Sequence, residues 1–390
     1  MKIPIAKTEF QKEDFENILK PLKSGWVVQG PYVKEFEYKW CNYTGAKNSI
    51  AVTSCTTGLH LVLSALGIKA GDEVIVPSFT WIATANVVEY LGAKPVFCDI
   101  TPDTFNIDIN KIEKLITKKT KAIIPVHLFG LSVNMDELNK IAVENNLFVL
   151  EDAACGFGAR FNNIHVGNFG IAGCFSFHPR KAITTGEGGM ITTNDSELSE
   201  KLRSMRDHGA AITDLQRHMQ NKPYLLPEFP YLGYNYRMTD IQGAIGSTQM
   251  DRADEIHKKR NKIARHYIDE LENIEWLNLP FSNEKYVHGF QSFVCLFQNK
   301  KITTENIGEV NKKRNEFMDY LFEKGISTRP GTHAVHNLQY YMEKYKISPQ
   351  DYPESYIADK CSVAFPIFPS LSEAELEYII NSIKNYKCAV

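Results

Sequence analysis

Between about residue 45 and residue 195, short apolar runs alternate with segments whose apolar positions recur at helical spacing. TSCTTGLHLVLSALG predicts a helix starting near Thr56, with Leu59, Val62, Leu63 and Leu66 on one face. GDEVIVP predicts a strand closed by Pro77, Thr80 to Leu91 a helix, and AKPVFCDI and TKAIIPVHLFG two more strands. Asp136 to Asn145 reads as a helix, and NLFVLED, AGCFSF and GGMITT complete the set of strands. Apolar strands interleaved with amphipathic helices predict an open, mainly parallel α/β sheet. Ligands of such sheets sit beyond the carboxyl ends of the strands. Pro77-Ser78, His127 and Asp152 fall at such ends.

The pattern changes after Ser204. Residues 208–232 carry three prolines and little periodicity, which predicts an extended loop of functional length. A long polar helix is expected from about Thr239 to Leu271. GFQSFVCLFQ and GISTRP then read as strands, and Asn311 to Glu323 and Glu373 to Lys387 as helices. The expected division is a large domain over residues 1–249, including an N-terminal arm, and a smaller α+β domain over residues 250–390.

A length of 390 residues suits two domains, and 43% apolar with 23% charged residues is ordinary for a globular chain. The net charge of −2 supports neither nucleic-acid binding nor an anionic membrane surface. No run approaches the roughly 18 apolar residues of a membrane span. The N-terminal MKIPIAKTEF lacks the apolar centre of a signal peptide. The eight cysteines are scattered without a CxxC pair, so no metal site is expected and a reduced, cytoplasmic location is.

One lysine stands in a context with chemical meaning. Lys181, in FSFHPRKAITTGEGG, sits between a strand and a glycine-dense turn, downstream of a strand that ends in Glu151 and Asp152. A loop lysine beyond a strand-borne acid suits a Schiff base on pyridoxal phosphate, the acid keeping the ring nitrogen protonated. SCTTG opens a helix whose free N–H groups can take a phosphate, with Thr56 and Thr57 beside it; the same residues also make an ordinary N-cap. Ser176 can add a hydroxyl to that phosphate. Trp81, in PSFTWIAT, follows a strand end where its face can stack on a ring, or else fills a core. GYNYRM places Asn235 and Arg237 directly after the irregular loop.

In order along the chain, SGWVVQGPYVKEFE, TSCTTGLHL, GDEVIVPSFTWIATAN, PVHLFG, EDAACGFGA, FSFHPRKAITTGEGG, RDHG and GYNYRM resemble the nucleotide-sugar aminotransferases, such as perosamine synthases. These belong to fold type I of the pyridoxal-phosphate enzymes, the aspartate-aminotransferase fold. The resemblance implies a seven-stranded, mainly parallel sheet in the large domain. It implies Lys181 as the cofactor-bonding lysine, Asp152 as partner of the pyridine nitrogen and Trp81 as the stacking ring. Thr56, Thr57 and Ser176 would hold the phosphate. Asn235 would reach the phosphate in a neighbouring subunit, which implies a homodimer with shared sites. The chain departs from the pattern at Cys55, where many members have glycine. It departs again at Cys155, where many have the glutamine or histidine that contacts the ring hydroxyl. Related dehydratases carry histidine at the lysine position; Lys181 argues for transamination.

By the same resemblance, glutamate is the amino donor, pyridoxamine phosphate the carrier and a nucleotide-linked keto sugar the acceptor. The TTGEGG turn with Glu187 accompanies amination at C4, which implies a 4-keto-6-deoxyhexose giving a perosamine-type or 4-amino-N-acetyl sugar. His333 and His336 in GTHAVH resemble a loop that closes over the site; ordinary loop polarity explains them equally. Arg180 and Arg329 can meet a pyrophosphate or carboxylate, and His178 is a candidate only through its nearness to Lys181. The missing GxGxxG excludes a nicotinamide oxidoreductase. Amination of a cyclitol ketone, and a non-catalytic regulatory homologue that binds the cofactor, remain open.

Overall fold

The computed structural model describes residues 2–212, 226–298, 301–303 and 305–388. Seven strands build the main sheet: β1 (Asn48–Val52), β2 (Glu73–Pro77), β3 (Lys94–Cys98), β4 (Thr120–Ile123), β5 (Phe148–Asp152), β6 (Ala172–Ser176) and β7 (Gly189–Thr193), in spatial order β1-β7-β6-β5-β4-β2-β3. β7 runs antiparallel to both neighbours, and the other pairings are parallel. The expected sheet is therefore present, with one reversed strand.

Alternation along each strand divides the core. Ile50, Val52, Val74, Val76, Leu150, Cys174 and Ile191 face the helices Cys55–Ala65 and Ala83–Tyr90. Val149, Ile123 and Ile75 pack on the other face with Leu138 of helix Met135–Glu144. Near the β1 end, Ala51, Phe175 and Met190 meet Val33, Phe36 and Trp40 of helix Pro31–Thr44. That helix begins at Gly30, which has no side chain to cap it; Asp240 does so instead, its Oδ1 accepting from Gly30 N at 2.8 Å and Val33 N at 2.9 Å.

A smaller antiparallel sheet follows, ordered β8 (Leu277–Asn278), β9 (Phe293–Phe297), β10 (Ser362–Phe365), read β8-β9-β10 in space. Helices Ala253–Leu271, Ile307–Glu323 and Glu373–Lys384 cover it, burying Tyr267, Phe317, Ile379 and Ile383 against Phe293 and Phe365.

Four expectations change. The segment expected as helix from Thr80 begins as a two-residue strand, Phe79–Thr80, paired with His333–Ala334, and the helix starts only at Ala83. A partner some 250 residues away decides this, which local periodicity does not encode. The long helix breaks into Asp240–Met250 and Ala253–Leu271, with Arg252 at φ −120° and its guanidinium held by Asp14 Oδ2 at 2.5 Å. GISTRP forms isolated bridges, Ile326 with Ile3 and Arg329 with Ala364, rather than a strand. The final helix stops at Lys384. Of the loop expected over 208–232, residues 213–225 lie outside the described residues.

Where the strand pair Arg160–Phe161 and Tyr286–Val287 joins the two halves of the chain, two histidines are buried. His165 Nδ1 donates to Val166 O at 2.7 Å while Nε2 accepts from Gly158 N at 3.2 Å. His288 Nδ1 accepts from Phe290 N at 2.8 Å, and its ring stacks on Phe290. Burial pushes both pKa values down to about 3. The folded state keeps these rings neutral, whereas unfolded histidine takes a proton near pH 6.5. Below that pH the unfolded chain binds more protons, so stability falls, by about 2 kcal/mol per histidine at pH 5. Thermal melts should show a plateau from pH 7 to 8 and a steep decline between pH 6.5 and 5. An unchanged melting temperature at pH 5 would refute the buried neutral state.

Candidate active site

β5 ends in two acids, and alternation sends them to opposite faces. Asp152 shares the Leu150 face, beneath helices Cys55–Ala65 and Ala83–Tyr90. Its Oδ2 accepts from Thr84 Oγ1 at 2.8 Å, and its Oδ1 from Ala154 N at 3.1 Å with the Cys55 thiol 3.9 Å away. Burial pushes its carboxyl above the usual carboxylate range, opposed by Thr84, Ala154 N and the nearby Lys181 and His127. Glu151 lies fully buried on the other face. It accepts from His127 Nε2 at 2.9 Å and from the backbone N–H groups of Gly167, Phe169 and Gly170 at 2.6–2.8 Å. Because His127 Nδ1 accepts from Val133 N, its proton stands on Nε2.

Lys181 rides on a loop without regular structure that other elements hold in place. Gln291 accepts from Ala182 N at 3.1 Å and donates to Arg180 O at 2.7 Å. Gln249 does the same for both backbone groups of Thr184, at 3.1 and 2.6 Å. The half-buried Lys181 Nζ donates to Cys155 Sγ at 3.1 Å. Neither glutamine was evident beforehand, because each belongs to a segment more than sixty residues away.

The helix Cys55–Ala65 opens with a capping box: Ser54 Oγ accepts from Thr57 N at 3.1 Å, and Thr57 Oγ1 accepts from Ser54 N at 3.0 Å. Thr57 is thereby committed to its own helix. The Thr56 hydroxyl has no hydrogen-bond partner among the described residues and stands in the first turn, where the helix presents positive charge. Gly189 of β7 is what lets the strand approach that terminus, since a Cβ there would lie 2.4 Å from the Ser54 carbonyl carbon. Ser176 Oγ accepts only a long bond from His178 N, at 3.4 Å.

Trp81 is 56% exposed, which excludes the core alternative. Its ring lies 5.7 Å from that of His333, brought there by the pairing of His333–Ala334 with Phe79–Thr80. His336, three residues on, is fully buried, with Nε2 at 3.2 Å from Pro349 O and its ring against Tyr352. It has no face left for a substrate, so ordinary packing accounts for it. His178 is half-buried, its Nδ1 accepting from Arg180 N; burial, Arg180 and Lys181 lower its pKa while Glu187 opposes them. Glu187, Arg329 and Asn235 are exposed. Arg329 is placed by backbone pairing with Ala364, and Asn235 by a bridge to Asp207, whose carboxylate also binds Arg237.

A cleft of about 680 Å³ lies between helices Pro31–Thr44 and Ser196–Arg206, and neither Lys181 nor Asp152 lines it. Its inner guanidiniums, Arg203 and Arg206, are both spent on Glu37. Among the described residues no cluster suits a metal ion, and no helix is long and apolar enough to cross a membrane.

An amine, a buried carboxylate, an exposed indole and an unpartnered Thr56 hydroxyl at a helix N-terminus are thus in place, and similarity to known proteins shows the family. Residues 8–384 match the model of the DegT/DnrJ/EryC1/StrS aminotransferase family. The chain belongs to that family. Full-length relatives include the GDP-perosamine synthase of Caulobacter vibrioides, 37% identical, with 98% of this chain and 97% of that one aligned. The spore coat polysaccharide biosynthesis protein SpsC of Bacillus subtilis is 35% identical, over 98% of this chain and 96% of that one. Among solved structures, DesV of S. venezuelae, in complex with a ketimine intermediate, superposes with a TM-score of 0.88 at 28% identity, covering 100% of this chain and 99% of that one.

Glu151 is the anchor of the strand that carries Asp152. Glu151→Ala leaves His127 Nε2 and three backbone N–H groups without this acceptor, and should cost about 3–5 kcal/mol. Chemical denaturation measures it, with Glu151→Gln expected to lose less. A loss under about 1 kcal/mol for the alanine variant would show that the anchor is dispensable.

Proposed function

We propose that this family member transfers an amino group from glutamate to a nucleotide-linked keto sugar, using pyridoxal phosphate held at Lys181. The reading rests chiefly on one observation: the Lys181 amine and the buried Asp152 carboxylate converge at the carboxyl edge of the parallel sheet. The donor set fits the cofactor. An amine suits its aldehyde and a buried, doubly hydrogen-bonded carboxylate suits a protonated ring nitrogen. The exposed Trp81 offers a face for the ring, and the free Thr56 hydroxyl at a helix N-terminus suits a phosphate.

When bound, the cofactor supplies an electron sink for the bond to be broken. Lys181 Nζ is the amine that would hold the cofactor aldehyde, and as a free amine it would serve to move a proton at the substrate carbon. Asp152 would hold a proton on the ring nitrogen, and Trp81, supported by His333, would offer the ring a stacking face. Thr56 and Ser176 orient the phosphate; Thr57 acts indirectly, by holding the helix end that carries them. Cys155, Asn235, His178, Glu187 and Arg329 complete the reading as cofactor and substrate contacts.

Helix Lys12–Ser24 exposes Phe15, Leu19 and Leu22, at a spacing that puts them on one face, with Val27 and Val28 beyond its end. This apolar stripe supports a second copy of the chain as partner, and hence Asn235 acting across a dimer. The perosamine-type relative and the TTGEGG turn support C4 of a 4-keto-6-deoxyhexose as the acceptor. The main sheet, drawn wholly from residues before 194, and the small sheet, drawn wholly from residues after 276, support a large domain to residue 249 and a small one after it.

Borohydride treatment of protein loaded with pyridoxal phosphate should leave the cofactor on the peptide containing Lys181, read by mass. The amine-loaded form should then aminate a 4-keto-6-deoxyhexose carried by GDP, UDP or dTDP, and Lys181→Ala should lower turnover at least about a thousandfold. Turnover of an inositol ketone with no nucleotide sugar accepted would replace the sugar reading with the cyclitol one. Multiple turnover by Lys181→Ala would remove Lys181 from the centre of the reaction.

A further inference from the structure

We infer that Thr84, backed by Thr80, is a positioning residue that keeps Asp152 ionised and aimed, and so sets how strongly a bound pyridine nitrogen holds its proton. The inference rests on the cofactor reading above and adds a residue to it.

Thr84 Oγ1 has one proton and two acceptors within reach, Asp152 Oδ2 at 2.8 Å and Trp81 O at 3.2 Å. The carboxylate bond is shorter and charge-assisted, so it takes the proton. An ionised carboxylate only accepts, which makes Thr84 the donor. Thr80 Oγ1, 3.2 Å from Thr84 Oγ1 and 1% exposed, must then donate into Thr84. The chain of hydroxyls therefore runs Thr80 to Thr84 to Asp152, a direction that favours the ionised acid, whose Oδ2 is the stronger acceptor. Oδ1 is held separately by Ala154 N. Each oxygen thus has a fixed donor, which aims the carboxylate.

The other groups facing Asp152 do not replace this donor. Lys181 acts on it through charge, without a hydrogen bond to either oxygen, and His127 gives its one ring proton to Glu151. The Cys55 thiol lies 3.9 Å from Oδ1 and has Cys174 O closer, at 3.4 Å. Cys174 faces the acid from β6 as a neutral, buried thiol. Thr84 is the one side-chain hydroxyl bonded to Asp152 among the described residues. It also belongs to the segment that carries Trp81 and pairs with His333–Ala334, so the acid and the stacking ring share one support.

Thr84→Val removes the donor at nearly constant shape and leaves both Asp152 Oδ2 and the Thr80 hydroxyl unpartnered. The acid then competes for the proton of the ring nitrogen. In protein loaded with ¹⁵N-labelled pyridoxal phosphate, the ring nitrogen resonance should move from the protonated toward the neutral position. The kcat should fall about tenfold to a hundredfold, as expected for losing a hydrogen bond to a charged group, with KM for glutamate unchanged. Thr84→Ser should restore both the resonance and kcat. Thr80→Val, which removes only the second hydroxyl, should give a smaller shift in the same direction and stands in if Thr84→Val does not fold. An unmoved ¹⁵N resonance in the folded variants overturns the inference while leaving the cofactor reading intact. Wild-type protein that takes up no cofactor overturns both.

Discussion

Two adjacent carboxylates, buried where β5 ends, impose the main constraint on this molecule. A charge removed from water is tolerated only with a full set of partners. Because a strand alternates its faces, Glu151 and Asp152 draw those partners from different elements. Glu151 gathers His127 and the turn at residues 167–170, which ties β5 to the end of β4 and the start of β6. Asp152 gathers Thr84 and Ala154 N and lies within electrostatic reach of Lys181. One acid is satisfied by the scaffold; the other is left partly short of what burial demands, and that shortfall is what a protonated ring nitrogen would fill.

The loop that carries Lys181 is irregular yet fixed. A helix or strand would satisfy its backbone internally; this loop relies on two distant glutamines. Gln249, at the end of one helix, and Gln291, just before β9, each bond one donor and one acceptor of the loop. The amine is thus located by elements from both halves of the chain. Trp81 is treated in the same way, since its segment is extended only because His333–Ala334 pairs with it. A site assembled from rigid elements around a short strap is preorganised in the sense that catalysis needs.

Legibility from sequence followed the range of the interaction. The alternation of strands and helices was readable because the parallel strands are buried on both faces and stand out as apolar runs between amphipathic helices. Lys181, Asp152 and Trp81 were readable because each stands in a local motif at a strand end or just past one. Thr56 and Thr57 looked equivalent there, and only the coordinates separate them: one hydroxyl is closed in a capping box and the other is free. His333 and His336 were likewise indistinguishable, until strand pairing exposed the first and packing against Tyr352 buried the second. Thr84, Gln249 and Gln291 gave no local signal at all. Their roles exist only as contacts across 60 to 110 residues of chain, and a helix threonine or a core-edge glutamine looks the same without them.

Cys155 shows why the acceptor for the lysine matters as much as the lysine. A carboxylate at 3.1 Å would hold Nζ as an ammonium through a strong charged bond, and an ammonium can neither attack an aldehyde nor take a proton. A thiol sulfur accepts weakly, so the bond it receives from Nζ does no more than orient the amine. The strong electrostatic partner is instead placed one step away, at Asp152, where it acts on Lys181 through space. Separating the two tasks leaves the amine directed, and it puts the Asp152 carboxyl where a ring nitrogen, rather than the lysine, would meet it.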